Sequence, residues 1–229
     1  MKNLIYGFLF SLMITSVGCR LNEADESVGP IIDPKPLVLI ERDSIATGGY
    51  LGVQVNDKAS DAYTTVQSLR KSHGISALNI VSNVVTEVSQ LKNRLPLYSY
   101  ILLDQSKGTD SGVQITLETG KIKNLFLNSG EELSQWPKKE NAKSSLRLGD
   151  NSEELYEKLI RIRGKSQYAG KFERIMLLTK DLATGFDPGM AQSPQWYFAY
   201  TTADGLFEVV NVHLKDGSVA YMTVERYKK

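Results

Sequence analysis

The order of helix and strand patterns in the first half of the chain recurs in the second half. Residues 57–71 place apolar side chains at helical spacing, and residues 149–163 do the same. Strand patterns follow each helix, and the last two are joined by a two-residue turn ending in glycine, at 119–120 and again at 216–217. These recurrences predict a structural repeat. A loose similarity between two unrelated α+β segments is the alternative.

The strand patterns complete a fold prediction. They cover residues 37–41, 75–82, 97–104, 112–118, 121–127, 172–179, 195–202, 206–215 and 218–227, whereas residues 83–96 fit either a short helix or a long loop. We predict an α+β fold of two tandem units, each a helix packed on a mostly antiparallel four-stranded meander. The first unit spans 37–128, the linker 129–145 and the second unit 146–229. A helix covers only one face of each sheet, so the other face is wet or available to a partner.

This element order resembles that of known binding proteins. In a helix start followed by a glycine hairpin, residues 50–227 are similar to the tandem α+β modules of β-lactamase inhibitor proteins. They are also similar to the single-module small lipoproteins of outer-membrane assembly. The resemblance rests on element order, and it implies a binding module without chemistry of its own.

The first 19 residues predict where the protein is located. Lys2, an apolar run over residues 4–17 and small residues before Cys19 form the layout of a secretory signal peptide, residues 1–18. The run is too short for a permanent membrane helix. Gly18 followed by Cys19 resembles a bacterial lipobox, in which the cysteine is lipidated and becomes the N-terminus, although Ser16 departs from its usual aliphatic residue. Ordinary cleavage after Gly18, leaving a free thiol, is the alternative.

Residues 19–36 have the composition of a tether. They are acidic and contain three prolines, which interrupt helices and central strands. They also have too few apolar groups for burial to offset the conformational entropy that would be lost if they became ordered. Arg20 is not the aspartate that signals inner-membrane retention in enteric lipoproteins. The resemblance therefore implies a lipid anchor in the outer membrane, on its periplasmic face or at the cell surface.

Charge and cysteine content exclude several classes of function. The predicted signal peptide contains one of the 27 basic residues, so the mature chain has 26 basic and 26 acidic residues. A chain without net charge lacks the attraction that nucleic-acid binding requires. Because Cys19 is the only cysteine, no intramolecular disulfide forms.

No motif in the sequence indicates catalysis. The chain has no glycine-rich phosphate loop, no G-x-S-x-G and no H-E-x-x-H. His73 and His213, its two histidines, do not make a convincing metal set. We predict a protein that is not an enzyme and has neither cofactor nor metal.

Aromatic residues are the candidates for binding. In the strand pattern at 195–202, Trp196 and Tyr200 lie on one side and Tyr197 on the other, which is consistent with a core face and a recognition face. Loop 181–194 is long enough to be functional. The candidate binding residues are Tyr98, Tyr100, Phe186, Met190, Trp196, Tyr197 and Tyr200. Trp136 is expected to fix the linker between the units.

These observations predict a lipid-anchored cell-envelope protein of a Gram-negative bacterium that binds a protein partner. Inhibition or immunity is one form of this role, and assembly of an envelope complex is another. A module that holds a small apolar or glycan ligand under loop 181–194 is the alternative.

Overall fold

The computed structural model describes residues 36–228. The predicted signal peptide, the proposed lipidation site Cys19 and all but the last residue of the predicted tether lie outside the described residues. Among the residues described, no helix has the length and apolar character needed to cross a membrane.

The described chain consists mainly of β-strands. The strands are β1 (Val38–Ile45), β2 (Gly49–Tyr50), β3 (Val53–Gln54), β4 (Ala77–Val81), β5 (Val84–Val85), β6 (Tyr98–Asp104), β7 (Val113–Glu118), β8 (Lys121–Leu127), β9 (Gln135–Trp136), β10 (Leu146–Arg147), β11 (Arg174–Asp181), β12 (Gln195–Thr201), β13 (Phe207–Lys215) and β14 (Ser218–Lys228). The α-helices are α1 (Ala59–His73) and α2 (Leu155–Arg163). Short 3-10 helices are Val88–Leu91, Leu95–Leu97, Ala142–Ser144, Ser152–Glu154, Ser166–Phe172 and Pro188–Gln192.

Ten strands form one antiparallel sheet. Its order is β1-β14-β13-β12-β4-β11-β6-β7-β8, and β5 pairs with β11 beside β4. Apart from β1, this order is symmetric about the central pair β4 and β11, with one three-stranded meander on each side. In each half of the chain, the first strand after the helix pairs with the meander of the other half. Thus β4 pairs with β12, and β11 pairs with β6.

The helices follow the same exchange. The backbone N–H of Ala59, at the start of α1, donates to the carbonyl of Gly217 in the turn between β13 and β14 (2.9 Å). The N–H of Ser152, just before α2, donates to the carbonyl of Gly120 in the turn between β7 and β8 (2.8 Å). Each helix start is therefore held by the hairpin of the opposite half.

The predicted fold class is wrong. The protein is not an α+β pair of tandem units, because it is mostly β and ten of its fourteen described strands form one continuous sheet. Two separate meanders would expose four strand edges, whereas the main strand order of the shared sheet ends in only two strands, β1 and β8. The β8 edge is partly covered, since Leu133 N–H donates to the carbonyl of Leu125 (2.8 Å).

Local predictions agree better with the structure. Both predicted helices and the listed strand patterns correspond to observed elements, and the ambiguous segment 83–96 forms β5 and 3-10 turns. The two hairpin turns have positive φ at both positions: 48° and 75° at residues 119–120, and 51° and 74° at residues 216–217. This is the type I′ geometry that suits the twist of a hairpin. Gly74 ends α1 with φ of 67°, as its sequence position predicts.

One face of the sheet forms the core. Alternate strand residues such as Ile80, Trp196 and Val212 are buried there in a single apolar cluster with residues of α1 and α2. The opposite face carries neither of the two described helices and holds the partly exposed positions of the same strands. We call it the open face.

The exchange of strands predicts that neither half of the chain folds alone. We expect residues 36–128 and 129–229, produced separately, to lack a cooperative unfolding transition, because each lacks the strand that joins its meander to the centre. Mixing the two pieces is expected to restore the transition, measured by circular dichroism in urea. A cooperative, monomeric half on its own would contradict the exchange.

Candidate functional site

A row of polar side chains crosses the open face, one from each strand of the main order. Each member is the direct cross-strand partner of the next. In order, the members are Ser44, Thr223, Asn211, Tyr197, Asn79, Thr179, Tyr100, Thr116 and Asn124. All carry an uncharged hydroxyl or amide group, and none is buried. We call these nine residues the polar row.

The centre of the polar row is ordered by its own hydrogen bond. The Thr179 hydroxyl donates to Oδ1 of Asn79 (2.9 Å) across the β4–β11 pair. A tyrosine follows on each side: Tyr197, which is 37% exposed, and Tyr100, which is half-buried. Burial raises the pKa of Tyr100, so its phenol stays protonated and able to donate. The centre of the open face thus presents two aromatic rings and neutral hydrogen-bonding groups.

Strand irregularities place Tyr98 and Tyr100 on opposite faces. Residues two apart on a regular strand share a face. The register shifts, however: Thr179 pairs with Tyr100 and the adjacent Lys180 pairs with Tyr98, which leaves Ser99 as an extra residue in β6. Tyr98 therefore points into the core and Tyr100 lies on the open face.

A shallow pocket of about 370 Å³ adjoins the polar row over β12 to β14. The His213 ring stacks on Tyr221 with 4.1 Å between ring centroids and 8° between planes. Burial lowers the pKa of His213, so the imidazole is neutral at pH 7. Gln195 donates to Oδ1 of Asn211 (2.8 Å) in the same pocket.

An ion pair forms the border of this pocket. Arg42 lies 2.6 Å from the Glu225 carboxylate. A hydrogen bond from the Tyr227 hydroxyl, followed by Arg42, lowers the pKa of Glu225. The pair is internally neutralised, so this part of the open face adds little net charge to the neutral centre.

Most of the other sequence candidates belong to the core side. Trp196 and Met190 are both fully buried, and the indole N–H of Trp196 donates to the carbonyl of Met190 (3.0 Å). Phe186 is half-buried against Tyr63, with 5.5 Å between ring centroids, and lines a pocket of about 320 Å³. The structure therefore does not gather the seven candidates into one site, because only Tyr100 and Tyr197 share the open face.

Tyr200 lies on the core side in a polar cluster. Its hydroxyl donates to the Glu208 carboxylate (2.5 Å), which also accepts from the Tyr50 hydroxyl (2.7 Å) and from Arg226 (2.7 Å). Burial opposes ionisation of Glu208, but these donors hold its pKa below the ordinary value. The His73 ring meets Tyr200 edge-on at 5.0 Å. These contacts fix the C-terminal end of α1 to the sheet.

A fully buried lysine lies at the centre of the core face. Lys180 has its ammonium 5.2 Å from the Tyr63 ring centroid and 5.9 Å from that of Tyr98, and it donates to the Thr184 hydroxyl. Among the described residues it forms no salt bridge. Burial lowers the pKa of Lys180 to about 8. Its charge therefore costs stability at neutral pH.

Tyr98 completes this buried cluster. Its hydroxyl donates to the Asp187 carboxylate (2.5 Å), which is also paired with Arg94 at 2.8 Å. Burial, together with the hydrogen bond to Asp187, raises the pKa of Tyr98. Asp187 therefore fixes the loop before β12 to the core through the buried Tyr98 and the partly exposed Arg94.

Comparison with protein-family models, with curated proteins and with solved structures finds no match to this chain. Within residues 36–228, His, Asp and Glu side chains form no group of three that could hold a metal ion. The geometry of the described surfaces is therefore the basis for assigning a function.

Sequence reasoning missed most of the polar row. Asn79, Thr116 and Thr179 occupy outward positions of their strands, where polar residues are ordinary. The sequence pattern contains a signal, since every strand of the main order has an uncharged polar residue, and only in β1 does that residue, Ser44, lie next to the last position of the strand. Only the register shows that these positions align.

Adjacent residues of β12 are expected to differ sharply in their effect on stability. Trp196→Ala leaves a large cavity and should lower the free energy of unfolding by about 3–5 kcal/mol. Tyr197→Ala removes a ring from the open face and should cost about 1 kcal/mol or less. Urea denaturation of both variants measures the difference. If both variants lost the same free energy of unfolding, Tyr197 would be as buried as Trp196, and the open face would be covered by another part of the protein.

Stability is expected to rise with pH because of Lys180. Unfolded lysine keeps its proton up to about pH 10.5, whereas folded Lys180 loses it near pH 8, so between these values the unfolded state binds more protons. From pH 7.5 to 9.5 the wild-type protein should gain about 2 kcal/mol relative to Lys180→Met. Exposed Lys215→Met is the control and should show no such change. A difference between wild type and Lys180→Met that is constant with pH would refute the interpretation.

Proposed function

We propose that this chain is a cell-envelope binding protein of a Gram-negative bacterium, with no catalytic activity of its own. Lipidation at Cys19 anchors it in the outer membrane. It engages a protein partner through the open face, either to inhibit or neutralise that protein or to assemble it into an envelope complex.

The length of the polar row is the observation that supports a protein partner. Neighbouring strands are about 4.8 Å apart, so nine strands span roughly 38 Å. With about 20 Å along the strands, the face offers on the order of 760 Å², close to the roughly 800 Å² that each partner buries in a standard interface. A single sugar unit or small molecule would cover only two or three strands.

The chemistry of the row also favours a protein partner. Charged residues are depleted at interface cores, whereas tyrosine is enriched there, and the row contains two tyrosines and no charged residue. Serine and asparagine supply adaptable hydrogen bonds in recognition surfaces, while tyrosine adds rigid contact area at low entropic cost. Tyr197 and Tyr100, three strand intervals apart, would be the anchors.

A small ligand beside loop 181–194 is the second candidate. The pocket next to Phe186 has a volume of about 320 Å³, near the lower limit for small-molecule sites. Yet the loop itself is packed, since Met190 is fully buried and Asp187 is held by Arg94 and Tyr98. The loop is therefore part of the core rather than a lid, and the open face is the stronger candidate.

Site-specific photocrosslinking in intact cells tests this proposal. A photoreactive residue at Tyr197 and another at Thr116, on the other side of the centre, should each trap the same protein in the membrane fraction. The matched control replaces Thr64, which is exposed on α1, and should trap nothing. Tyr197→Arg should abolish the adduct formed from position 116 without changing the unfolding midpoint, whereas Tyr197→Phe should retain it.

Three results would contradict the proposal. Adducts from position 64 alone would place the interface on α1, and absence of adducts from all positions would remove the protein partner. Recovery of the protein in the soluble fraction would remove the lipid anchor at Cys19.

A further inference from the structure

A second surface, separate from the polar row, combines an apolar pocket with lysines. The pocket has a volume of about 310 Å³. Leu133, Trp136 and Tyr168 supply apolar lining, and the ammonium-bearing residues Lys138, Lys139 and Lys171 line the same pocket. An apolar pocket containing a few polar groups is the usual form of a small-molecule site.

The aromatic wall of the pocket is preformed. Trp136 is only 8% exposed, and its ring lies 5.9 Å from Tyr168 and 6.4 Å from Phe172 between centroids. It pairs with Leu146 between β9 and β10. The Trp136 ring thus packs against the 3-10 helix at 166–172.

The backbone that carries two of the lysines is also fixed. The side-chain amide of Gln135 donates to the carbonyls of Pro137 (3.2 Å), Lys138 (2.7 Å) and Glu140 (3.2 Å). One side chain thereby closes the turn that contains residues 138 and 139. A ligand that enters the pocket meets these residues without first having to order the segment.

The charge of the pocket is not neutralised by its surroundings. Lys171 donates to the Ser111 hydroxyl (2.6 Å) and the Thr109 hydroxyl (2.9 Å), both of which are neutral. Within the described residues, neither Lys171 nor Lys139 has a carboxylate in salt-bridge range, whereas Lys138 pairs with Glu131. Two positive charges thus remain beside the apolar lining. They are complementary to an anion attached to an apolar body.

We propose that this pocket binds a small apolar carboxylate. The apolar body packs against Trp136 and Tyr168, and the carboxylate accepts hydrogen bonds from Lys171 and Lys139. This inference is independent of the proposed protein partner, because it involves no residue of the polar row.

The two tryptophans make the inference directly measurable. In the ¹H–¹⁵N NMR spectrum of the full-length chain, the indole signal of Trp136 reports on the pocket and that of buried Trp196 reports on the core; Trp136→Phe assigns them. Titration with octanoate should shift the Trp136 signal saturably and leave that of Trp196 unchanged. Octan-1-ol and octylamine have the same chain without the negative charge, and they should bind at least about tenfold more weakly.

Two lysine variants test the role of charge. Lys171→Met and Lys139→Gln should each weaken octanoate binding about tenfold, whereas Lys215→Met, far along the chain in β13, should leave it unchanged. An unchanged Trp196 signal confirms that each variant is folded. The proposal is overturned if octanoate causes no saturable shift, if octylamine binds equally well, if both signals shift together, or if neither lysine variant weakens binding.

Discussion

The pairing of β4 with β11 is the interaction on which the rest of the structure depends. Three residue pairs, from Ala77–Asp181 to Asn79–Thr179, join two meanders that would otherwise end in open edges. The same pairing buries Leu78 and Lys180 on one face. On the other face it brings the two halves of the polar row into register. Core and candidate interface are therefore two consequences of one ladder of backbone hydrogen bonds.

Sequence patterns predicted the elements but not their partners. Helical spacing and glycine turns are local signals, and they located α1, α2 and both hairpins. Which strand pairs with which is decided by contacts between residues about 100 positions apart, and β4 and β11 have no pattern that marks them as exchanged. No sequence pattern marks Ser99 as an extra residue in β6 either, and this extra residue turns Tyr98 towards the core. Trp196 and Tyr197 were separated correctly because β12 is regular.

The two proposed surfaces differ in how they would find their ligands. The centre of the polar row is neutral and the full chain has a formal net charge of only +1, so long-range steering contributes little to association. Association would then depend on short-range fit and on the high local concentration that the proposed membrane anchor would provide. The pocket beside Trp136 and Lys171 differs, since its positive charges attract an anionic ligand before the two are in contact. Its small volume limits the size of the ligand that can enter.

The exchanged topology also governs when the protein can acquire its structure. Val38 in β1 pairs with Lys228 in β14, so the first described strand has no partner until the last strand has been synthesised. β4 gains its first neighbour, β11, only when residues 179–181 have been made, and its second, β12, only when residues 195–197 have been made. A chain leaving the ribosome therefore carries unpaired strands for most of its synthesis, and such chains fold slowly and are exposed to aggregation. The strand order thus creates a need for a chaperone that keeps the nascent chain unfolded until its synthesis is complete.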